Sequence, residues 1–306
     1  MKSYDAVVIG GGPAGMTAAL YLLRSGVKTA MIEKLSPGGQ VLMTSEIENY
    51  PGFPKGLQGW ELADKFSAHL ENYSLDRISD EVRDIEFGSS VHTIMVGDEA
   101  VQTKSIILAT GSRYRKLGIP GEERLLGRGV SYCALCDGNF FRDRDVAVIG
   151  GGNSALEEAL YLARLVNKVY LIHRRQDFRG LACYQDKCFT HEKIEVIRNT
   201  VVDEIQGADD LESLALRNVE SGETSELKVD GTFIFVGFEP IMDFVSDKVE
   251  QDRNGIITDV EMRTNVPGVF AAGDIRSKMC RQVASAVGDG ATAANSAFTY
   301  LEQLDA

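Results

Sequence analysis

Two short apolar runs, each cut off by a cluster of glycines, organise this chain. Asp5-Ala6-Val7-Val8-Ile9 runs into Gly10-Gly11-Gly12-Pro13-Ala14-Gly15, and 140 residues later Asp145-Val146-Ala147-Val148-Ile149 runs into Gly150-Gly151-Gly152-Asn153-Ser154-Ala155. Apolar runs of this length bounded by turn residues predict buried parallel strands, and the stretches after them, Met16 to Arg24 and Ala155 to Arg164, predict helices with one apolar face. Three further apolar runs end in glycine: Ile106 to Gly111, Phe233 to Gly237 and Val269 to Gly273. After Arg281-Gln282-Val283-Ala284, a stretch rich in Gly and Ala to Ala297 predicts a closing helix whose small residues permit close approach. Gly118-Ile119-Pro120-Gly121 and Gly237-Phe238-Glu239-Pro240 break the chain. The second strand-turn-helix unit is therefore inserted into the first, giving segments 1–115, 116–240 and 241–306.

A strand, a glycine turn and a helix in this order suit a dinucleotide. The glycines let backbone approach a pyrophosphate, and the helix start offers free amide hydrogens and a positive dipole end. One such match alone equally describes an ordinary turn; two in the same context predict an α/β fold with two Rossmann-like dinucleotide-binding domains. The units differ about 20 residues on, where an acidic side chain would take ribose hydroxyls. The first unit has Glu33 there. The second has His173, followed by Arg174, Arg175 and Arg179, which suits a 2′-phosphate and predicts NADP over NAD. The competing reading is a solvated face at the start of a helix. Asp274, at a strand tip before a helix, is placed to take a cofactor's ribityl hydroxyls.

Composition narrows the function. The 306 residues suit two domains, and with 44% hydrophobic and 25% charged residues the chain is ordinary for a globular protein without a membrane span. Its 32 Lys and Arg against 45 Asp and Glu leave a net charge of −13, which argues against nucleic-acid and anionic-membrane partners. The N-terminus lacks a signal peptide's long apolar region, so the expected location is cytoplasmic.

Five cysteines is an odd number, and Cys133-Ala134-Leu135-Cys136-Asp137-Gly138 holds the one tight pair. In a cytosolic protein this spacing points to redox or metal chemistry. A reversible disulfide, with one thiol activated by a helix start and Asp137 supplying a proton, is the redox reading. The metal reading, a zinc half-site completed by Cys183, Cys188 and His191, has poor spacing, and no metal is expected. Cys183, Cys188 and Cys280 otherwise read as packing or partly exposed thiols.

Taken together, Gly10 to Gly15, Gly38-Gly39-Gln40, Glu48-Asn49-Tyr50-Pro51-Gly52, Ala109-Thr110-Gly111, Cys133 to Gly138, Gly150 to Ala155, the arginine cluster, and Ala272-Gly273-Asp274 through Gln282 resemble the low-molecular-weight bacterial thioredoxin reductases of the pyridine nucleotide-disulfide oxidoreductase class. The resemblance spans essentially the whole chain. It implies FAD in the outer domain, on Gly10, Gly12, Pro13, Ala14, Gly15, Glu33, Gly39, Gln40, Asn49, Thr110, Gly111, Asp274, Arg281, Gln282 and Val283. It implies NADPH in the inserted domain, on Gly150, Gly152, Asn153, Ser154, His173, Arg174, Arg175 and Arg179. Cys136 would face the flavin, Cys133 would attack the disulfide of thioredoxin, and Asp137 would be the acid. A homodimer, hinges near 115 and 240, and Arg128 as a thioredoxin contact are also implied. Leu135, Cys183 and Cys188 depart from the common pattern and leave the protein partner less clearly written than the cofactor sites. Three other readings are a disulfide oxidase of the same fold, which has no use for the arginines; a redox sensor or binding module that holds nucleotides without turnover, against which the intact cysteine pair with Asp137 and both cofactor turns argue; and flavin-to-nicotinamide electron transfer without disulfide chemistry, which leaves the cysteine pair without a task.

Overall fold

The computed structural model describes residues 2–43, 46–47, 49–245 and 247–304, with the side chains at 43, 46, 135 and 136 outside the description. The chain divides into two compact units, Met1–Arg113 with Glu239–Ala306, and Tyr114–Phe238. These divisions fall two residues ahead of the 115/116 and 240/241 breaks read from the sequence. The chain crosses on two short strands; Gly237-Phe238-Glu239-Pro240 coincides with the second crossing, whereas Gly118-Ile119-Pro120-Gly121 lies beyond the first.

In chain order the first unit opens with β1 (Lys2–Ile9), α1 (Pro13–Arg24), β2 (Thr29–Ile32), α2 (Gly59–Leu70), β3 (Asp76–Ile78), β4 (Val82–Glu86), β5 (His92–Val96) and β6 (Glu99–Leu108). The crossing strand β7 (Ser112–Tyr114) follows. The second unit holds β8 (Val130–Ser131), α3 (Ala134–Asp137), β9 (Asp145–Gly150), α4 (Asn153–Ala163), β10 (Lys168–Ile172), α5 (Ala182–Phe189), β11 (Ile194–Ile197), the meander β12 (Thr200–Gln206), β13 (Ser213–Asn218) and β14 (Thr224–Lys228), and β15 (Gly231–Phe235). The chain returns on β16 (Phe238–Pro240), which pairs with β7, and ends with β17 (Val269–Ala271) and α6 (Val283–Leu304).

The first unit is a sheet in the order β3-β2-β1-β6-β5-β4. β6 serves two partners along its length: its first half pairs antiparallel with β5, and Ile106–Leu108 pair parallel with β17. The apolar run of β1 is explained by burial on both faces. Ala6 and Val8 face a core with α1 and α6, whereas Val7 and Ile9 face a second core with Ile94, Val101 and Ile256. Against α1, Ala293, Ala294 and Ala297 of α6 are buried, and a side chain at Gly290 would run into the carbonyl of Ala14.

The second unit repeats the plan with a parallel sheet in the order β8-β15-β9-β10-β11. Val146 and Val148 of β9 face α4 and Phe233, and Ala147 and Ile149 face the β12-β13-β14 meander. Each fully buried large apolar side chain in these layers contributes about 1.5–3 kcal/mol. Both post-glycine helices start earlier than the periodicity predicts, at Pro13 and Asn153; in α1, Pro13 lacks an N–H and has a preset φ that suits the first helical position. Arg174 and Arg175 lie in a bend between β10 and α5, not at a helix start; α5 begins only at Ala182. Among the described residues no helix is long and apolar enough to cross a membrane.

His92 of β5 has no exposed surface, and burial holds its pKa below the ordinary histidine value, outweighing the Pro267 carbonyl beside it. The unfolded chain therefore takes up a proton near pH ~6.5 that the folded chain refuses, and stability falls as pH drops through that range. Urea unfolding at pH 7.5 and 5.5 checks this. Wild type should lose stability between the two, and His92→Phe should lose measurably less.

Candidate functional site

In the first unit the strand registers bring separate segments to one edge. Ile9 pairs with both Ile32 and Leu108, and Leu108 pairs with Ala271, so the residues that follow emerge side by side. Three amides extend the ladder one step: Gly10 N–H donates to Ile32 O (2.8 Å), Ala109 N–H to Ile9 O (2.8 Å) and Ala272 N–H to Leu108 O (2.9 Å). Gly10 has φ +109°, and a side chain there would run into the carbonyl of Ala109. Gly12 caps α1 without a side-chain hydrogen bond, and no acidic residue stands in the first turn. The helix start, with Pro13, Ala14 and Gly15 in that turn, thus keeps free amides and an unneutralised positive end. Gly39 packs beside Gly12, where an added Cβ would lie 3.2 Å from the Gly12 Cα. Glu33 accepts from Gly11 N–H (2.7 Å) and Leu35 N–H (2.9 Å), which holds its carboxylate against the turn.

Around this edge Gln40 donates to the Ser112 carbonyl and hydroxyl (both 2.8 Å), Thr110 donates to Ile241 O (2.5 Å), and Ile241 N–H donates to Gly111 O (3.0 Å). Asn49 donates to Gln282 (3.0 Å), joining two segments far apart in sequence just ahead of Val283 and α6. Glu48 lies outside the described residues. Asp274 sits in a single helical turn after β17, and its Oδ1 is buried with no hydrogen-bond partner. Burial raises its pKa, with Lys278 and Arg281 pulling the other way. Arg281 donates to Asn254 O (2.8 Å), yet its Nε is also buried and unpartnered. An unpartnered acceptor and donor beside an uncapped helix are what a bound polar molecule would satisfy.

Sequence reasoning missed Asp289. This residue of α6 is 9% exposed and accepts from Gly273 N–H (3.0 Å), Lys278 (2.7 Å) and Arg276 (2.9 Å). It anchors the turn that carries Asp274. A carboxylate buried among Gly and Ala needs such partners, and one acid within that small-residue stretch was the available signal.

The second unit repeats the turn with a different second strand. Gly152 caps α4 with neither a side-chain hydrogen bond nor an acid in the first turn, where Ser154 is half-buried. His173 replaces Glu33, and its ring packs so closely on Gly151 that any side chain there would overlap it. Burial lowers the His173 pKa, and Arg179, Arg174 and Arg175 push in the same direction. The arginine loop is tied back to the turn, since Arg179 N–H (2.8 Å) and Gly180 N–H (3.1 Å) donate to Gly151 O, and Leu181 N–H donates to the Asn153 side chain (2.8 Å). Arg174, Arg175 and Arg179 are exposed, and among the described residues none has a carboxylate partner.

Cys133 follows β8 and precedes α3; it is buried and disulfide-bonded. The Cys136 side chain lies outside the described residues. Ser131, also missed from sequence, organises the turn: its hydroxyl accepts from Cys133 N–H (3.0 Å) and donates to Asp137 Oδ2 (2.6 Å). Cys183 and Cys280 are free and exposed. Cys188 is buried against Leu156 O (3.4 Å), and burial pushes its thiol up to about 11, which suits packing rather than chemistry. Among the described residues no three His, Cys, Asp or Glu side chains gather to hold a metal.

The comparisons agree with this architecture. The family described as pyridine nucleotide-disulphide oxidoreductase matches residues 4–290. A thioredoxin reductase of Listeria innocua is 45% identical over 305 residues, covering 99% of this chain and 95% of that protein. The crystal structure of Lactococcus lactis thioredoxin reductase in its FR conformation superposes with a TM-score of 0.93 at 48% identity, covering 98% of this chain and 99% of that one. The crystal structure of T. acidophilum thioredoxin reductase gives a TM-score of 0.89 at 36% identity, covering 99% of this chain and 100% of that one. With two glycine-turn units and a disulfide at Cys133, this chain belongs to the pyridine nucleotide-disulphide oxidoreductase family.

Proposed function

We propose that this protein is an NADPH-dependent, FAD-containing thioredoxin-disulfide reductase. The observation that carries the reading is a disulfide at Cys133 in the same unit as a glycine turn ringed by unpaired arginines. Relatives of near full-length coverage that bear the name thioredoxin reductase support it.

The first unit takes FAD. Its uncapped helix start and Gly10, Gly12, Pro13, Ala14 and Gly15 receive the pyrophosphate, and Glu33, already fixed by two backbone amides, receives ribose hydroxyls. The buried, unpartnered Asp274 Oδ1 fits a ribityl hydroxyl donor. Gly39, Gln40, Asn49, Thr110, Gly111, Arg281, Gln282 and Val283 line the rest. The second unit takes NADPH on Gly150, Gly152, Asn153, Ser154 and His173, with Arg174, Arg175 and Arg179 on the 2′-phosphate. FAD, when bound, accepts two electrons from the nicotinamide and passes them to a protein disulfide.

With the Cys133–Cys136 pair reduced, the Cys133 thiolate attacks the thioredoxin disulfide, forming one S–S bond and breaking another. The departing thioredoxin thiolate takes a proton from Asp137, whose carboxyl accepts from the same Ser131 hydroxyl that accepts from Cys133 N–H. Cys136 then attacks the Cys133 sulfur, restoring the enzyme disulfide and releasing the second thioredoxin thiolate. The cytoplasm, where thiols are kept reduced, is the proposed setting, and the proposed holoenzyme is a homodimer.

Anaerobic mixing with NADPH and oxidised thioredoxin, with NADH as control, tests the reading. Two new thioredoxin thiols per NADPH are expected; NADPH oxidation without thiols would point to another disulfide partner. Cys133→Ser should abolish thiol transfer while NADPH still bleaches the flavin absorbance. Arg174→Ala and Arg175→Ala should each erode the preference for NADPH over NADH by about 1.5–3 kcal/mol in kcat/KM, the worth of one charged hydrogen bond; an unchanged preference sinks the assignment. Sedimentation of the holoenzyme should give twice the chain mass.

A further inference from the structure

The loop at residues 173–180 carries three arginines without an ion pair to fix them, and the segment after β11 grips it from the side. Ile197 O accepts from His173 N–H (2.8 Å), and Thr200 N–H donates to His173 O (3.0 Å). Asn199, in the left-handed region at φ 51°, donates from its side chain to Gln176 (3.1 Å); asparagine tolerates that conformation better than most residues. Between these ties lies Arg198. Its guanidinium carbon is 4.5 Å from the Phe189 ring centroid and 5.5 Å from that of Phe178. Phe178, buried within the arginine loop, in turn lies 4.6 Å from the His173 ring. His173, Phe178, Arg198 and Phe189 thus form one cluster running from the glycine turn to α5, with the Phe178 and Phe189 rings edge-on at 5.2 Å and the Arg198 guanidinium over both.

Arg198 has no carboxylate partner among the described residues, and its Nε is buried without a hydrogen bond. An aliphatic side chain would pack on the two rings without desolvating a charge. A planar cation is therefore retained at some cost, and what it supplies is a cation–π contact with defined geometry on Phe178. We propose that Arg198 is a positioning residue for nucleotide selectivity: by stacking on Phe178 it holds the 173–180 loop in the shape that presents Arg174, Arg175 and Arg179 to a 2′-phosphate. The inference rests on the assignment of NADPH to this unit.

Dissociation constants of NADP⁺ and NAD⁺ for the oxidised holoenzyme test it. Arg198→Met, which keeps the length and loses the planar cation, should weaken NADP⁺ about tenfold and NAD⁺ by less than about twofold. Arg198→Lys, which keeps a cation over the rings, should stay within about threefold of wild type for NADP⁺. Phe178→Leu should reproduce the Arg198→Met loss, and the double variant should be no worse than the weaker single one, because the two act through one contact. Equal loss of both nucleotides in Arg198→Met would mark a merely structural role and overturn the proposal, as would no loss at all. Additive losses would place Arg198 on the phosphate directly and overturn positioning. If wild type itself does not prefer NADP⁺, the NADPH assignment falls and this inference with it; a wild-type preference that Arg198→Met retains removes the inference alone.

Discussion

Parallel strands buried on both faces are the constraint from which the sites follow. A parallel ladder makes neighbouring strands end at the same edge, so Gly10, Glu33, Ala109 and Ala272 emerge together although they come from four parts of the chain. Burial on both faces keeps that edge rigid, because shifting β1 by one residue would exchange Ala6 and Val8 with Val7 and Ile9 between two differently shaped cores. The second unit obeys the same rule through β9 and β10. Each site is thus a consequence of how its sheet is packed, with the glycine turn leaving backbone open at the strand ends.

On that shared frame the two units diverge through the side chain that lies against the middle glycine. Glu33 reaches Gly11 with a carboxylate and ties down two amides, whereas His173 covers Gly151 with a ring. An acid at this position favours hydroxyl donors and repels phosphate. At His173, burial and three neighbouring arginines lower the imidazole pKa, and the side chain brings no carboxylate to the turn. Within one repeated plan, the second strand thus ends in an acid in the first unit and in a histidine followed by an arginine loop in the second.

Charge is handled differently in the two places. In the first unit Asp289 is neutralised by Arg276, Lys278 and a backbone amide, a satisfied buried network that stiffens the turn bearing Asp274. In the second unit Arg174, Arg175 and Arg179 have no carboxylate partner among the described residues, in a chain with an excess of 13 acidic residues. A closed network favours a fixed shape and an open one favours a ligand, so the contrast marks structural and binding charge apart.

Much of this could be read from residue order, because the signals are local. Glycines that permit the turn, apolar runs of strand length, the Glu33 and His173 positions and the two-residue cysteine spacing all act over a few residues or one repeat. The helices α1 and α4 start three and two residues before the apolar period does, because their first turns carry polar or small residues and, in α1, Pro13, none of which an apolar period registers. The arginine loop was not legible as a loop because its shape depends on contacts with Gly151 and with the segment after β11. The roles of Ser131, Asp289 and Arg198 were not legible for the same reason, Asp289 leaving only its solitary charge in a small-residue stretch as a signal: each acts on groups that folding brings beside it, Ser131 on a carboxylate six residues away, Asp289 on cations from another element, Arg198 on rings from two others. Local chemistry decides what a short segment can bind or become, whereas the partners that hold a charged or polar side chain in place are chosen by long-range packing.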